Sequence, residues 1–270
     1  DSFRSTVESF SQFANDAVYP YGSGGPNASF AFLTDHYMHR FAAQREDFAR
    51  LCIAQRENAL ENPNALMKSP LTMQDYLGAR PVAEPLGLFD CVMPCAGAEG
   101  FLVTTVSRAR DAGVPHVVIR ATIERHNAYP EDPIQIRGGW AMDRDELYEC
   151  AGCTPNDLDF VQLYDDYPVI CFLQLEDLGF CAKGDAAKLL ADGETSVGGK
   201  IPVNPSGGLL SKGHPIGSTG VAQIVEIVRQ LRGQCGQRQV EGAKVGLTHC
   251  TGGGVSGFDH GVCSIHLFAR

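Results

Sequence analysis

Residues 204–220 read NPSGGLLSKGHPIGSTG, a glycine-rich stretch with Gly-His-Pro near its centre. Apolar residues recur behind it at helical spacing, at positions 221, 224, 225, 228 and 231, and Gly233 ends that pattern. The stretch therefore predicts a glycine-rich loop that opens an amphipathic helix. Gly213, Pro215 and Gly217 fix an irregular backbone at the helix start, so the side chain of His214 is aimed in one direction.

Strands and helices alternate on both sides of this loop. A short strand over 160–163 leads through a turn into a helical pattern over 169–178. Further on, residues 245–249 and 262–267 alternate as paired strands do, with glycines at 252–254 for the turn. Nearer the amino terminus we predict one helix from Thr34 to Asn62 and strands at 98–106 and 117–119. This order predicts an α/β layered fold with a boundary near 127–133.

Composition excludes several classes of protein. The 270 residues are 44% hydrophobic, which excludes disorder because a core of ordinary size can be buried. The net charge is −10 and Lys and Arg form no run longer than a pair, so we expect no nucleic-acid partner. Apolar runs are too short to span a membrane, and ten scattered cysteines are typical of reduced thiols. We therefore expect a cytoplasmic protein.

His214 and Cys250 are the first candidates for chemistry. A helix start disfavours a cationic imidazole, so His214 is expected to be neutral and able to act as a base or a hydrogen-bond donor. Cys250 ends a predicted strand, and the glycines that follow it leave backbone N–H groups of the kind that an oxyanion needs. Taken singly, each also fits a structural role, as a capping-loop histidine or a buried strand cysteine.

Residues 164–167, Tyr-Asp-Asp-Tyr, place two acids and two phenols in the turn between strand and helix. Solvated capping, metal binding and acid–base work all remain open for the acids. Cys150 and Cys153 form a CxxC pair without a second pair at zinc-ribbon spacing, so no metal site is predicted. Cys91 and Cys95 are interpreted as strand-edge cysteines rather than nucleophiles.

The loop, its histidine and the late cysteine occur together in an order that resembles the thiolase superfamily. The C-terminal block of that family is similar to residues 204–208, 213–220 and 250–254 of this sequence. The resemblance to the sterol-carrier-protein type of thiolase extends back to about residue 30 and so covers most of the chain. It implies a thiolase-like α/β/α/β/α layered fold of two related halves, with 1–127 as an incomplete first half and 128–270 as the second.

The resemblance also implies roles for single residues. His214 would activate a nucleophilic cysteine and hold a thioester oxygen, while Cys250 would move the proton of the acyl acceptor's α-carbon. The Gly252 N–H would join a second oxyanion hole, with Asp165 as a further substrate-binding residue. Tyr164 would replace the histidine of a His-Asp-Cys-Phe motif, as a hydrogen-bond donor but a poor base at neutral pH. The nucleophilic cysteine itself is expected upstream of this sequence.

These implications lead to one expected function and two alternatives. We expect an acyltransferase of lipid metabolism that cleaves or forms carbon–carbon bonds on a coenzyme A thioester, with coenzyme A as substrate and no bound cofactor. The first alternative is a thiolase-like aldolase, because retro-aldol cleavage needs no nucleophilic cysteine. The second is a non-catalytic thiolase-like subunit. A homodimer and a small zinc-ribbon/OB-fold partner protein are also expected by analogy with the family.

Overall fold

The computed structural model describes Asp16 and residues 19–22, 25–132, 134–252 and 262–270. The helices in these ranges, in chain order, are α1 (Pro26–Phe41), α2 (Arg45–Leu60), α3 (Met73–Leu77), α4 (Val106–Asp111), α5 (Trp140–Ala151), α6 (Pro168–Asp177), α7 (Ala186–Ala191) and α8 (Thr219–Leu231). The strands are β1 (Pro81–Ala83), β2 (Leu86–Gly87), β3 (Val118–His126), β4 (Phe160–Gln162), β5 (Val245–Gly252) and β6 (Val262–Ala269). Helices and strands alternate one by one only from β2 to α6, whereas α1–α3 and α6–α8 are runs of helices and β5 and β6 are consecutive strands.

The larger sheet has four strands in the order β3-β6-β5-β4. β6 pairs antiparallel with both β3 and β5, whereas β4 runs parallel to β5. The predicted pairing of the last two strands is confirmed, with Val245 opposite Ala269 and Gly252 opposite Val262. Gly253 and Gly254 of the predicted turn lie outside the described residues. The parallel pair brings the carboxyl ends of β4 and β5 to the same edge of the sheet.

Helix α6 forms the centre of the larger hydrophobic core. All ten of its residues are buried, which is typical of a helix enclosed by other elements on every side. Its Phe172 ring lies 4.8 Å from that of Phe48 on α2 and 5.8 Å from that of Tyr37 on α1, measured between centroids. Because α6 starts directly after the turn at 164–167, this packing fixes where the turn emerges.

Helix α8 packs on the sheet through a smaller core. The buried residues of this core are Phe160, Ile227, Leu231, Val240, Ala243 and Phe268. The Phe160 ring of β4 packs against Gly246 of β5, where a Cβ would lie 2.7 Å from the ring, so only a glycine leaves room for it. The predicted helix is confirmed, and its first turn lies beside the carboxyl end of β5. Of the five apolar positions that predicted it, only Leu231 is buried and the others are half-buried, whereas the polar Gln223, Glu226 and Gln230 are buried.

Two predictions for the amino-terminal part are wrong. The helix predicted from Thr34 to Asn62 is two helices, because Ala42 adopts a left-handed conformation and Gln44 and Asp47 then form a capping box that starts α2. The predicted strand at 98–106 is absent from the described structure: residues 97–105 are exposed without regular structure, and α4 begins at Val106. No described strand lies beside this segment to accept its backbone hydrogen bonds.

In the part of the chain that the structure describes, no helix combines the length and apolar character that crossing a membrane requires. β3 ends at His126, next to the predicted division after residue 127. That division into two halves stays a prediction.

Candidate active site

The loop that carries His214 starts at Asn204, which lies beside the end of β4. Asn204 is fully buried, and its side-chain oxygen accepts the N–H of Leu163 at 2.7 Å. The Asn204 N–H in turn donates to the carbonyl of Val161 at 2.9 Å. These two bonds continue the backbone pairing of β4 into the loop, so the loop starts from a fixed position.

The carboxylate of Asp165 binds backbone N–H groups in the next part of the loop. Its two carboxylate oxygens accept the N–H groups of Leu209 at 2.8 Å and Leu210 at 3.1 Å, within a π-helical turn over Gly208–Lys212. Gly208 lies against the same carboxylate: a Cβ there would be 2.1 Å from Oδ2 of Asp165. The side chain of Asp165 is completely buried. The structure therefore places this predicted substrate-binding residue under the loop, engaged with backbone amides.

His214 is fixed through its backbone and its ring. Its N–H donates to the carbonyl of Met93 at 3.1 Å, and its own carbonyl accepts the N–H of Cys95 at 3.1 Å. Nδ1 lies 2.9 Å from the hydroxyl of Thr219, the first residue of α8. Burial lowers the pKa of the imidazole from 6.5 to about 4. The ring is therefore neutral at physiological pH, and the cause is burial rather than the helix dipole on which the prediction rested.

Tyr164 lies against His214 at the carboxyl end of β4. The two rings meet edge to face, with centroids 5.9 Å apart and an angle of 83° between their planes. Gln174 on α6 clamps the backbone of Tyr164, since its side chain accepts the N–H at 3.0 Å and donates to the carbonyl at 2.6 Å. Burial raises the pKa of the phenol far above its usual value, and Asp166 and Cys250 add to the rise. Tyr164 is therefore a neutral hydroxyl that can donate or accept a hydrogen bond.

Cys250 lies on β5 beside the start of α8. An ideal Cβ on Gly220, in the first turn of that helix, would be 3.4 Å from the Cys250 sulfur. Gln162 on β4 pairs with Thr248 on β5, and Tyr164 and Cys250 each follow that pair by two residues. Residues two apart in a strand share a face, so this register brings Tyr164 and Cys250 to one side of the sheet edge.

The environment of Cys250 keeps its sulfur protonated. Burial raises the pKa of the thiol to about 12, and the carboxyl of Asp166 adds to the rise. A thiol with this pKa is a poor nucleophile at neutral pH but can give or take a proton when a base is beside it. Gly252, the predicted oxyanion-hole donor, lies exposed at the last position of β5.

Some residues of this cluster escaped sequence reasoning. Thr219 and Gln174 hold His214 and Tyr164 in place, but a threonine at a helix start and a glutamine within a helix carry no distinctive pattern. Cys95 lies close to the Gly-His turn, since a Cβ on Gly213 would be 3.1 Å from its sulfur. The extended segment that contains Cys95 pairs with the loop through a parallel β-bridge between Pro94 and His214. Because the bridge joins residues that are distant in sequence, local sequence patterns do not predict it.

Cys150 and Cys153 lie at the end of α5 and are both free thiols, the first exposed and the second half-buried. Among the described residues, no group of three or more His, Cys, Asp or Glu side chains is arranged to hold a metal ion.

Comparison with known proteins identifies the class. Residues 134–262 match the family described as thiolase C-terminal domain-like. The chain is 36% identical over 247 residues to an acetyl-CoA acetyltransferase of Methanothermobacter thermautotrophicus, covering 89% of this chain and 62% of that one. The chain is thus thiolase-like. It is similar to the sterol-carrier-protein type of thiolase as well: it is 31% identical to human sterol carrier protein 2 over 83% of this chain and 42% of that protein.

Two further similarities concern lyases. The chain is 36% identical over 227 residues to a 17-hydroxy-3-oxo-4-pregnene-20-carboxyl-CoA lyase of Mycobacterium tuberculosis, covering 81% of this chain and 58% of that enzyme. A solved structure of an Ltp2-ChsH2(DUF35) aldolase is similar with a TM-score of 0.80 at 28% identity, over 99% of this chain and 67% of that one. The thiolase-like α/β fold is thus confirmed. The chain spans about three fifths of the length of the acetyltransferase and the lyase.

Proposed function

We propose that this site makes or breaks a carbon–carbon bond next to the carbonyl of a coenzyme A thioester, by acyl transfer of the thiolase type. One observation carries the proposal: the Tyr164 ring lies edge-on to the His214 ring, and the register of β4 and β5 places Cys250 at the same sheet edge as Tyr164. An imidazole, a phenol and a thiol, all neutral, therefore meet at one sheet edge. Neutral hydrogen-bond donors of this kind can stabilise the negative charge of an oxyanion or enolate.

His214 is suited to hold the thioester oxygen. Thr219 occupies its Nδ1, so Nε2 is the nitrogen that can turn towards a substrate. A neutral imidazole can donate from Nε2 to the oxygen that becomes negative when the α-carbon loses its proton. The Cys250 thiol is suited to return a proton to that carbon, and to take one only after a base has removed its own; the Gly252 N–H is the candidate second donor to the oxygen.

Retro-aldol cleavage is the second candidate. It is favoured by Tyr164, since a neutral phenol can donate a hydrogen bond to the enolate oxygen that forms while the carbon–carbon bond breaks. The similarities to a CoA-ester lyase and to an aldolase structure support it as well. The simultaneous presence of His214 and Cys250 supports acyl transfer, because both are the residues through which the sequence resembles thiolases.

We further propose that the protein works as a homodimer together with a small zinc-ribbon/OB-fold protein. Coenzyme A carries several phosphate groups, whereas this chain has a net charge of −10. A separate basic module would offset that repulsion. The aldolase that resembles this chain carries two component names, Ltp2 and ChsH2(DUF35), which is consistent with a second protein.

Product analysis separates the two reactions. The protein, expressed with whatever coding sequence precedes these residues, is incubated with a 3-oxoacyl-CoA and with a 3-hydroxyacyl-CoA, each with and without free coenzyme A. Acyl transfer predicts cleavage of the 3-oxoacyl-CoA only when free coenzyme A is present. Retro-aldol chemistry predicts release of an aldehyde or ketone from the 3-hydroxyacyl-CoA in both conditions. If mass spectrometry detects neither product, with the zinc-ribbon partner added, the proposed function is wrong.

A further inference from the structure

His249 is a buried polar residue to which the function above gives no role. It lies on β5 directly before Cys250, and it is fully buried. Its Nδ1 is 2.6 Å from the side-chain oxygen Oε1 of Gln174 on α6. The ring of Trp140, the first residue of α5, packs edge-on against the imidazole with centroids 4.5 Å apart. The side chain of His249 is therefore held in one orientation between α5 and α6.

Gln174, which is also fully buried, uses the whole hydrogen-bonding capacity of its side-chain amide. Its Nε2 lies 2.6 Å from the carbonyl oxygen of Tyr164 and 2.9 Å from that of Ile170, so the nitrogen donates to both. Its Oε1 accepts the N–H of Tyr164 at 3.0 Å. Because an amide oxygen can only accept, the contact of 2.6 Å with His249 requires a proton on Nδ1 of the imidazole.

This arrangement connects the two sides of the candidate site. Gln174 binds both backbone groups of Tyr164, and His249 is the chain neighbour of Cys250. Successive residues of a strand face opposite sides of the sheet, so Cys250 points away from α6, towards Gly220 in the first turn of α8. The hydrogen bonds from His249 through Gln174 to Tyr164 therefore form a bridge behind the site.

We propose that His249 is a positioning residue: through Gln174 it fixes the place of the Tyr164 hydroxyl relative to Cys250. Without a donor at Nδ1 of His249, Oε1 of Gln174 loses one of its two partners, and the amide that holds the backbone of Tyr164 can shift. A reacting group displaced by about 1 Å can lower a rate by about 10²-fold. The inference rests on the proposed function, because it concerns two side chains that would act on an acyl-CoA.

The position of the His249 proton is tested first, by NMR and without substrate. In protein with 15N-labelled histidine, two-bond nitrogen–proton correlations distinguish an imidazole protonated on Nδ1 from one protonated only on Nε2. The signal of His249 is the one that disappears in His249→Asn. The bridge predicts a proton on Nδ1. A ring protonated only on Nε2 would overturn the proposal.

Two substitutions of His249 then separate positioning from general stability. The amide nitrogen of an asparagine lies where Nδ1 of a histidine lies, whereas that of a glutamine lies where Nε2 lies. His249→Asn should therefore keep kcat within about threefold of the wild type, whereas His249→Gln should lower kcat by about 10-fold or more and change KM by less than about twofold. Turnover is measured with a 3-oxoacyl-CoA plus free coenzyme A and with a 3-hydroxyacyl-CoA. Circular dichroism reports whether each variant is folded.

The same substitution in a second background shows whether its effect depends on Tyr164. Tyr164→Phe removes the hydroxyl that is to be positioned, so adding His249→Gln to it should lower kcat by no more than about twofold. Gln230→Leu is the matched control for loss of a buried amide. Its amide also binds two backbone groups, but it lies about 16 Å along α8 from the start of that helix. This variant should lose stability and keep kcat.

The possible failures give different results. Equal losses of kcat in His249→Asn and His249→Gln, a wild-type kcat in His249→Gln, or an undiminished loss in the Tyr164→Phe background would overturn the role of His249 alone. No turnover of either acyl-CoA by the wild type contradicts the proposed function, and the positioning role with it.

Discussion

The ring of Tyr164 meets the imidazole of His214 edge to face, 5.9 Å between centroids. Tyr164 is held by Gln174 on the central helix α6, and His214 by Thr219 at the start of α8. The contact therefore joins the two helices that pack on either side of β4. Both rings are half-buried and neutral. A hydrogen bond from either ring to a substrate oxygen therefore forms where the dielectric constant is lower than in bulk water, and it is stronger there.

Removing the phenol oxygen should affect chemistry far more than folding. Tyr164→Phe keeps the ring contact with His214, so the free energy of unfolding should change by less than about 1 kcal/mol. The kcat should fall by about 10²-fold or more, because an acid–base hydroxyl is lost. Tyr148→Phe is the matched control: its hydroxyl donates to Leu178 at 2.9 Å in the core, so this variant should lose stability and keep activity. A Tyr164→Phe enzyme with wild-type kcat would remove the hydroxyl from the mechanism.

His214 should make stability depend on pH in a defined window. Its folded-state pKa is about 4, below the 6.5 of an unfolded chain, so between these values the unfolded chain binds a proton that the folded one does not. Stability should therefore fall as pH decreases from about 6.5 to about 4. Urea unfolding of the wild type and of His214→Gln across this range measures the effect, since the variant lacks this group. A stability difference that does not change with pH would show that His214 is not shielded from water.

Asp165 should behave as a structural residue. Asp165→Asn replaces one acceptor with an NH₂ group that faces a backbone N–H, so stability should fall by about 1–3 kcal/mol. The sequence-based assignment to substrate binding predicts instead a higher KM with unchanged stability. Urea midpoints and steady-state kinetics on the same variant distinguish the two roles.

The close contact between Gly208 and Asp165 gives a backbone test of the same support. Gly208 has a φ of 61° and no room for a Cβ, so Gly208→Ala should destabilise the fold by about 2 kcal/mol or more and lower activity. Gly217→Ala, in the same loop with open space around it, should change stability by less than about 0.5 kcal/mol. Equal effects at both positions would contradict the close approach at Gly208.

Local patterns predicted the parts of the fold that depend on local forces. The loop before α8 and the pairing of β5 with β6 follow from glycine positions and from apolar spacing, both readable in sequence. The break at Ala42 was missed because α1 and α2 have continuous helical character, and the separation depends on how each packs. Residues 98–106 contain strand-forming side chains, but a strand needs a neighbour, and sequence alone does not reveal whether one is present.

The candidate site likewise contains residues that local sequence patterns predict and residues that only tertiary packing brings together. His214, Cys250 and Tyr164 were found because glycine turns and a strand end mark places where side chains are presented. The burial of Asp165 was not predictable, because its partners Leu209 and Leu210 lie more than forty residues away in sequence.

The central claim is that His214 and Cys250 act together in one site on an acyl-CoA. The most direct test is a double-mutant cycle on kcat/KM, using the substrate that product analysis identifies and the variants His214→Ala, Cys250→Ala and the pair. If the two side chains serve one reaction, each single variant should lose about 10²-fold or more, and the double variant should lose little more than the worse single one. Independent losses that multiply, or wild-type kcat/KM in either single variant, would contradict a shared site.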